Sequence, residues 1–102
     1  MNLTNSSAKF WGIDHTFTKN DLILKNEYLG EGYGVVGELE KNAIKLLAET
    51  EGILVDPVYT GRAFGALVDM IKRGEFNNSD AILFWHTGGS PSIFSSAEKI
   101  LH

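Results

Sequence analysis

Only three short apolar runs in this 102-residue chain have the length and character of β-strands: Leu22–Leu24, Ile53–Val55 and Ala81–Trp85. The segment between the second and third has helical spacing. Residues 53 to 85 therefore read as a strand-helix-strand unit, which closes with a right-handed crossover when its strands run parallel. Ala81-Ile82-Leu83-Phe84-Trp85 is apolar without alternation, as expected of a strand covered on both faces. Three strands leave sheet edges unpaired, and unpaired edges invite association. The fold class expected is α/β, with the chain forming part of a larger layer.

Two helices are legible. Leu39, Ala43, Leu46, Leu47 and Thr50 recur at helical spacing, with Glu40, Lys41, Lys45 and Glu49 on the other face and Gly52 as the stop. Phe64, Leu67, Val68 and Ile71 define the second, which carries Lys72 and Arg73 in its last turn and ends at Gly74. The tail from Ser92 reads as a short helix. Residues 1–20 are polar, with Phe10, Trp11, Ile13 and Phe17 as the large apolar exceptions. They read as a weakly ordered segment preceding a unit at 21–102.

Nine Lys and Arg against thirteen Asp and Glu give a net charge of −4. That balance, with no basic stripe, argues against a nucleic-acid surface. No cysteine is present, which removes disulfides, thiolate metal sites and thiol nucleophiles. No apolar run approaches the ~20 residues of a membrane helix, and Met1–Lys9 lacks the apolar centre of a secretory signal. A cytoplasmic chain without a membrane partner is the expectation. His15, His86 and His102 are too dispersed for a metal site, and His86, ending an apolar strand, reads as a structural residue.

Most of the eleven glycines fall in three clusters, at 30–37, 61–65 and 88–89. Ligands of open α/β sheets bind beyond the carboxyl ends of the strands. Asp56-Pro-Val-Tyr-Thr-Gly61 and His86-Thr-Gly-Gly-Ser-Pro91 meet that condition, and neighbouring strands would bring Tyr59, Thr60 and Thr87 to one rim. Tyr59 also precedes a helix start, where free amide hydrogens favour an anion. On spacing alone, each loop reads equally well as a plain turn. The Gly30-Glu-Gly-Tyr-Gly34 stretch lacks the lysine and serine of a Walker loop, leaving a pocket-lining loop with Tyr33 or a structural turn. Ser90 has neither a nucleophile elbow nor an evident base.

Three segments in register resemble one known family: Tyr28-Leu-Gly-Glu-Gly-Tyr-Gly34, Glu51-Gly-Ile-Leu-Val-Asp-Pro-Val-Tyr-Thr-Gly61 and Phe84-Trp-His-Thr-Gly-Gly-Ser-Pro91. Together they are similar to the C-terminal region of the D-cysteine desulfhydrase and 1-aminocyclopropane-1-carboxylate (ACC) deaminase family. These are pyridoxal-phosphate enzymes of the tryptophan synthase β-subunit-like fold (fold type II). The resemblance runs from about Asp21 to Phe94. It implies Tyr59 as the catalytic residue and Tyr33 as substrate-binding, the two flanking an amino-acid substrate. It implies Thr60, Thr87 and Gly88 as cofactor-binding, with the threonines near the pyridine nitrogen of pyridoxal 5'-phosphate.

The deaminase pattern has Glu directly after the tyrosine of the Asp-Pro-Val-Tyr motif, where this chain has Thr60. A carboxylate there would keep the pyridine nitrogen protonated, whereas a hydroxyl cannot hold that charge. A neutral ring suffices to eliminate a thiolate, which favours a desulfhydrase-like lyase. Family members are roughly three times as long, and their Schiff-base lysine and phosphate loop lie upstream of these motifs. None of the seven lysines here sits in a matching motif. The expectation is one wall of a site, inactive alone, partnered by a missing N-terminal fragment, with a homo-oligomer as the family's assembly. The alternatives are an ACC deaminase-like fragment and a non-catalytic binding domain.

Overall fold

In the computed structural model, residues 1–32, 34–89 and 91–102 are described. Helix α1 spans Asn2–Phe10, α2 Glu38–Glu51, α3 Thr60–Lys72, α4 Ser92–Ser95 and α5 Ala97–Leu101, with a 3-10 turn at Lys19–Asp21. The two long helices form where the sequence places them. Glu38 and Glu40 lie in the first turn of α2, and Gly52 ends it in the left-handed conformation. Carboxylates suit the start of a helix dipole, and glycine suits such a stop.

Helices α2 and α3 pack against each other, and α5 touches α2. The close approach is at Gly65, where a Cβ would stand 2.8 Å from Leu39 Cγ and 3.1 Å from its carbonyl oxygen. The buried face of α2 is Glu40, Ala43, Ile44 and Leu47. It is rotated from the expected stripe, so that Leu46 is exposed and Glu40, assigned above to the polar face, is buried. Ile44, Leu47, Val55 and Ile100 make the core, joined by Val36, Phe64, Phe84 and Ile93. Phe64 and Phe84 meet edge to face with ring centroids 5.4 Å apart. That geometry is a favourable one for aromatic pairs.

The first twenty residues are more regular than their sequence suggests. Helix α1 buries Ala8, and the Asn5 side chain ties it to Phe17 by exchanging hydrogen bonds with that residue's N–H and C=O. Phe10, Trp11 and Ile13 nonetheless face solvent.

The three expected strands do not form: among the described residues there is no β-strand. The connecting helix of the strand-helix-strand unit is present as α3, but segments 53–55 and 81–85 are irregular. A strand exists only through its ladder, and a parallel pair is the weaker kind. Here the apolar segments pair in no ladder among the described residues, and Ile23 and Leu83 are 80% and 82% exposed. The chain exposes 7902 Å², against about 5,700 Å² for a compact monomer of 11.2 kDa. Its radius of gyration is 16.2 Å, where ~13 Å is usual for 100 residues.

Candidate functional site

The site is built around Asp56, which is 1% exposed. Its side chain takes the place of a helix cap for α3. Oδ2 accepts the N–H groups of Val58 and Tyr59, each at 2.7 Å, and Oδ1 accepts Thr60 N–H at 2.9 Å. The Thr60 hydroxyl donates to Oδ1 at 2.6 Å while accepting the Asp56 N–H at 2.8 Å. Burial pushes the Asp56 carboxyl upward, but the Thr60 hydroxyl and the amides of Thr60, Tyr59 and Val58 outweigh it. The net effect holds the carboxyl below its ordinary value, because hydrogen bonds to the charged form favour it.

The amide hydrogens expected to be open to an anion ahead of α3 are thus already bound. The chain's own carboxylate fills the helix start, as an Asp at such a position commonly does.

The same carboxylate seats the third loop. Gly88 and Gly89 have φ of +105° and +94°, a region that favours glycine. A Cβ on Gly89 would lie 2.6 Å from Asp56 Oδ1. The Gly88 carbonyl stands 3.4 Å from the Thr60 hydroxyl. His86 adds a second clasp: Nε2 lies 2.7 Å from the Leu54 carbonyl, and Nδ1 accepts the Gly88 N–H at 3.0 Å. The Leu54 carbonyl can only accept and the Gly88 amide can only donate, so the ring carries its proton on Nε2. The structural reading of His86 agrees with these bonds.

The first loop is held by Arg62. Its Nε donates to Glu40 Oε1 at 2.8 Å, with both side chains largely buried. Its Nη atoms reach the carbonyls of Leu29 at 2.7 Å, Val35 at 3.0 Å and Gly32 at 3.4 Å. Glu40 Oε2 accepts the Gly37 N–H at 2.6 Å. The glycine-rich loop is therefore fixed to α2 and α3 together. Between it and α3 lies an open groove of about 680 Å³ lined by Tyr28, Leu29, Gly32, Val58, Tyr59 and Arg62, among others. Tyr28 donates its hydroxyl to Asp69 at 2.7 Å, which raises its phenol above the ordinary value.

The structure brings Tyr59, Thr60, Thr87 and Gly88 to one region through these clasps. Tyr59 is exposed at the groove, Thr60 is 3% exposed behind it, and Thr87 lies exposed between the clasped His86 and Gly88. Tyr33 and Ser90 fall outside the described residues. Sequence reasoning missed the roles of Asp56, Arg62 and Glu40. Asp ahead of a helix start is a recognisable cap signal. By contrast, the Arg62–Glu40 pair spans 22 positions and leaves no local trace.

A family model described as pyridoxal-phosphate dependent enzyme matches residues 4–88. The chain belongs to that family. The D-cysteine desulfhydrase of Salmonella newport (strain SL254) is 48% identical over 75 residues, covering 74% of this chain and 23% of the relative. That of Salmonella heidelberg (strain SL476) matches to the same extent. A crystal structure of an ACC deaminase homologue superposes with a TM-score of 0.66 at 34% identity, over 98% of this chain and 29% of the other. The chain thus spans about a quarter of the length of the relatives it matches, within the tryptophan synthase β-like fold.

Pyridoxal phosphate is the cofactor of this family, and the residues here fit one edge of it. Thr87 offers an exposed hydroxyl with no hydrogen-bond partner among the described residues, next to a glycine pair that admits close approach. Among the described residues the phosphate is not provided for: Asp56 fills the start of α3, and α2 opens with two glutamates. Lys25, which lines the Tyr59 groove, is ion-paired to Glu75 at 3.1 Å and near Glu27 at 3.8 Å. The fit is to a ring edge and not to a phosphate cradle or a covalent anchor. No group of histidine, aspartate and glutamate that could hold a metal occurs among the described residues. No helix of the described residues is long and apolar enough to cross a membrane.

Proposed function

We propose that this chain supplies one wall of a pyridoxal-phosphate-dependent, D-cysteine desulfhydrase-like lyase, converting D-cysteine to pyruvate, sulfide and ammonia. The observation that carries this reading is the meeting of three separate motifs at Asp56, Arg62 and the Tyr59 groove. Pyridoxal phosphate, when bound, supplies the electron sink for carbanion chemistry at an amino acid. Tyr59 at the groove is the acid or base that moves a proton at the substrate, and Tyr33 is its substrate-binding counterpart. Thr87 and Gly88 edge the cofactor ring, with Thr60 directly behind them. Position 60 carries no carboxylate, and its hydroxyl is spent on Asp56, so it offers a ring nitrogen no charged partner, which favours thiolate elimination over opening of a cyclopropane ring.

The Schiff-base lysine and phosphate loop come from further polypeptide of this family, and the chain is inactive without it. The surface excess of about 2,200 Å² over a compact monomer exceeds the ~800 Å² per partner of a standard interface. In the completed assembly segments 53–55 and 81–85 gain ladder partners and the strand-helix-strand unit forms. Residues 1–20 stand as a segment apart from the 21–102 unit. A homo-oligomer in the cytoplasm completes the picture.

The test combines this chain with the N-terminal part of the Salmonella newport enzyme that it does not match. Alone, the chain with pyridoxal phosphate should show no aldimine absorbance and release no sulfide from D-cysteine. Together the two should restore sulfide release, and Tyr59→Phe should abolish it. A borohydride-trappable adduct at one lysine of this chain alone would overturn the proposal, as would failure of the pair to associate.

A further inference from the structure

We infer that Asp56 is the positioning residue of this rim: with Thr60 and His86 it locks the Tyr59 loop to the Thr87 loop, presenting the Thr87 hydroxyl outward and withholding that of Thr60. The inference rests on the reading of the rim as a ligand-facing wall and assigns different work to its two threonines. A hydroxyl has one proton and two lone pairs. At Thr60 the proton goes to Asp56 Oδ1 at 2.6 Å, and one lone pair takes the Asp56 N–H at 2.8 Å. The Gly88 carbonyl at 3.4 Å is a second, long acceptor for that same proton, so this hydroxyl is turned to Asp56 and the third loop and not to solvent.

Thr87 stands in the opposite condition. The residue before it is anchored by the His86 ring to Leu54, and the residue after it donates its N–H back to that ring. Gly89, one step further, lies against the Asp56 carboxylate. Thr87 is thus flanked by the His86 bond to Leu54 on one side and by the packing of Gly89 on Asp56 on the other, and its own side chain takes part in neither. Thr60 acts through Asp56 and Gly88, whereas Thr87 is the residue a ligand would touch.

The experiment uses the full chain labelled with 15N, and reads the His86 ring and the Gly88 amide by NMR. The wild-type ring should carry its proton on Nε2, with Nδ1 in the shift range of a hydrogen-bonded acceptor. Thr60→Val removes the hydroxyl at nearly constant volume. It should weaken the Gly88-to-His86 bond and speed Gly88 amide exchange by about three- to tenfold, the range one hydrogen bond supports. Thr60→Ser should restore the wild-type values. Gly89→Ala, which disturbs the same seat from the other loop, should reproduce the Thr60→Val signature. Unchanged His86 and Gly88 signals in both Thr60→Val and Gly89→Ala would overturn the inference, as would a wild-type ring without a fixed Nε2 proton. These readouts involve no cofactor, so failure of the lyase reading and failure of the clasp are separate results.

Discussion

Replacing Arg62 with Met keeps most of the side chain's length and apolar stem while deleting the guanidinium. Four contacts go: one to Glu40 Oε1 and three to the carbonyls of Leu29, Gly32 and Val35. They are not equivalent. Leu29 and Val35 are exposed, so their carbonyls pass to water and little net free energy is lost. Glu40 is 2% exposed and keeps only the Gly37 N–H, so its carboxylate is left buried and uncompensated. Breaking a buried pair from one side costs about 3–5 kcal/mol. Some solvent reaches Arg62, so the lower end of that range, about 3 kcal/mol, is the expected loss. That is a large part of the ~5–15 kcal/mol available to a domain of this size.

The double variant Arg62→Met, Glu40→Gln removes the stranded charge and should recover at least about 1.5 kcal/mol relative to additivity. Urea unfolding followed by circular dichroism measures all four corners of the cycle. A single-variant loss under about 0.5 kcal/mol, the range of an ordinary surface substitution, would refute the assignment of Arg62 as the pin of the glycine-rich loop. So would a double variant that is simply additive.

Gly61→Ala should abolish folding, because its Cβ would stand 2.3 Å from the Asp56 carbonyl oxygen. Gly74 sits in open space at φ +77°. Alanine there should cost only about 1–2 kcal/mol, the penalty of the left-handed conformation, and thermal melts distinguish the two variants. Because the Asp56 carboxyl is held below its ordinary value, its contribution is fully present above the unfolded-chain value of about 3.9 and is lost as the pH falls through the lower folded value. The stability gap between wild type and Asp56→Asn should therefore narrow between neutral and strongly acid pH, and a gap that widened would contradict the hydrogen-bond assignment. Ile23→Lys with Leu83→Lys should change the chain's own stability by less than about 0.5 kcal/mol while reducing association in sedimentation velocity.

Both long helices are legible in the sequence because their signals are local: apolar spacing, the acidic first turn of α2, the basic last turn of α3 and glycine stops. The rim is legible in outline because its residues lie in two short motifs, and a single carboxylate brings those motifs together. The strands expected from the sequence are not seen among the described residues, for a physical reason. Ile53–Val55 and Ala81–Trp85 have strand composition, but composition records what a segment does when partnered, and the ladder depends on polypeptide beside it. Periodicity puts Glu40 on the wrong face because it treats every carboxylate as a solvent group. The guanidinium of Arg62, 22 residues away, together with the Gly37 N–H makes its burial tolerable.

The carboxylate at the start of α3 also gives the rim a direction. A helix start carries roughly half a positive charge, and a full negative charge seated on it leaves that end of the wall net negative. A doubly charged phosphate approaching these loops is repelled from α3, while an uncharged aromatic edge is not. On the proposed reading of the rim, a ligand with one anionic end would meet this surface with that end turned away, its orientation biased before any contact with Thr87.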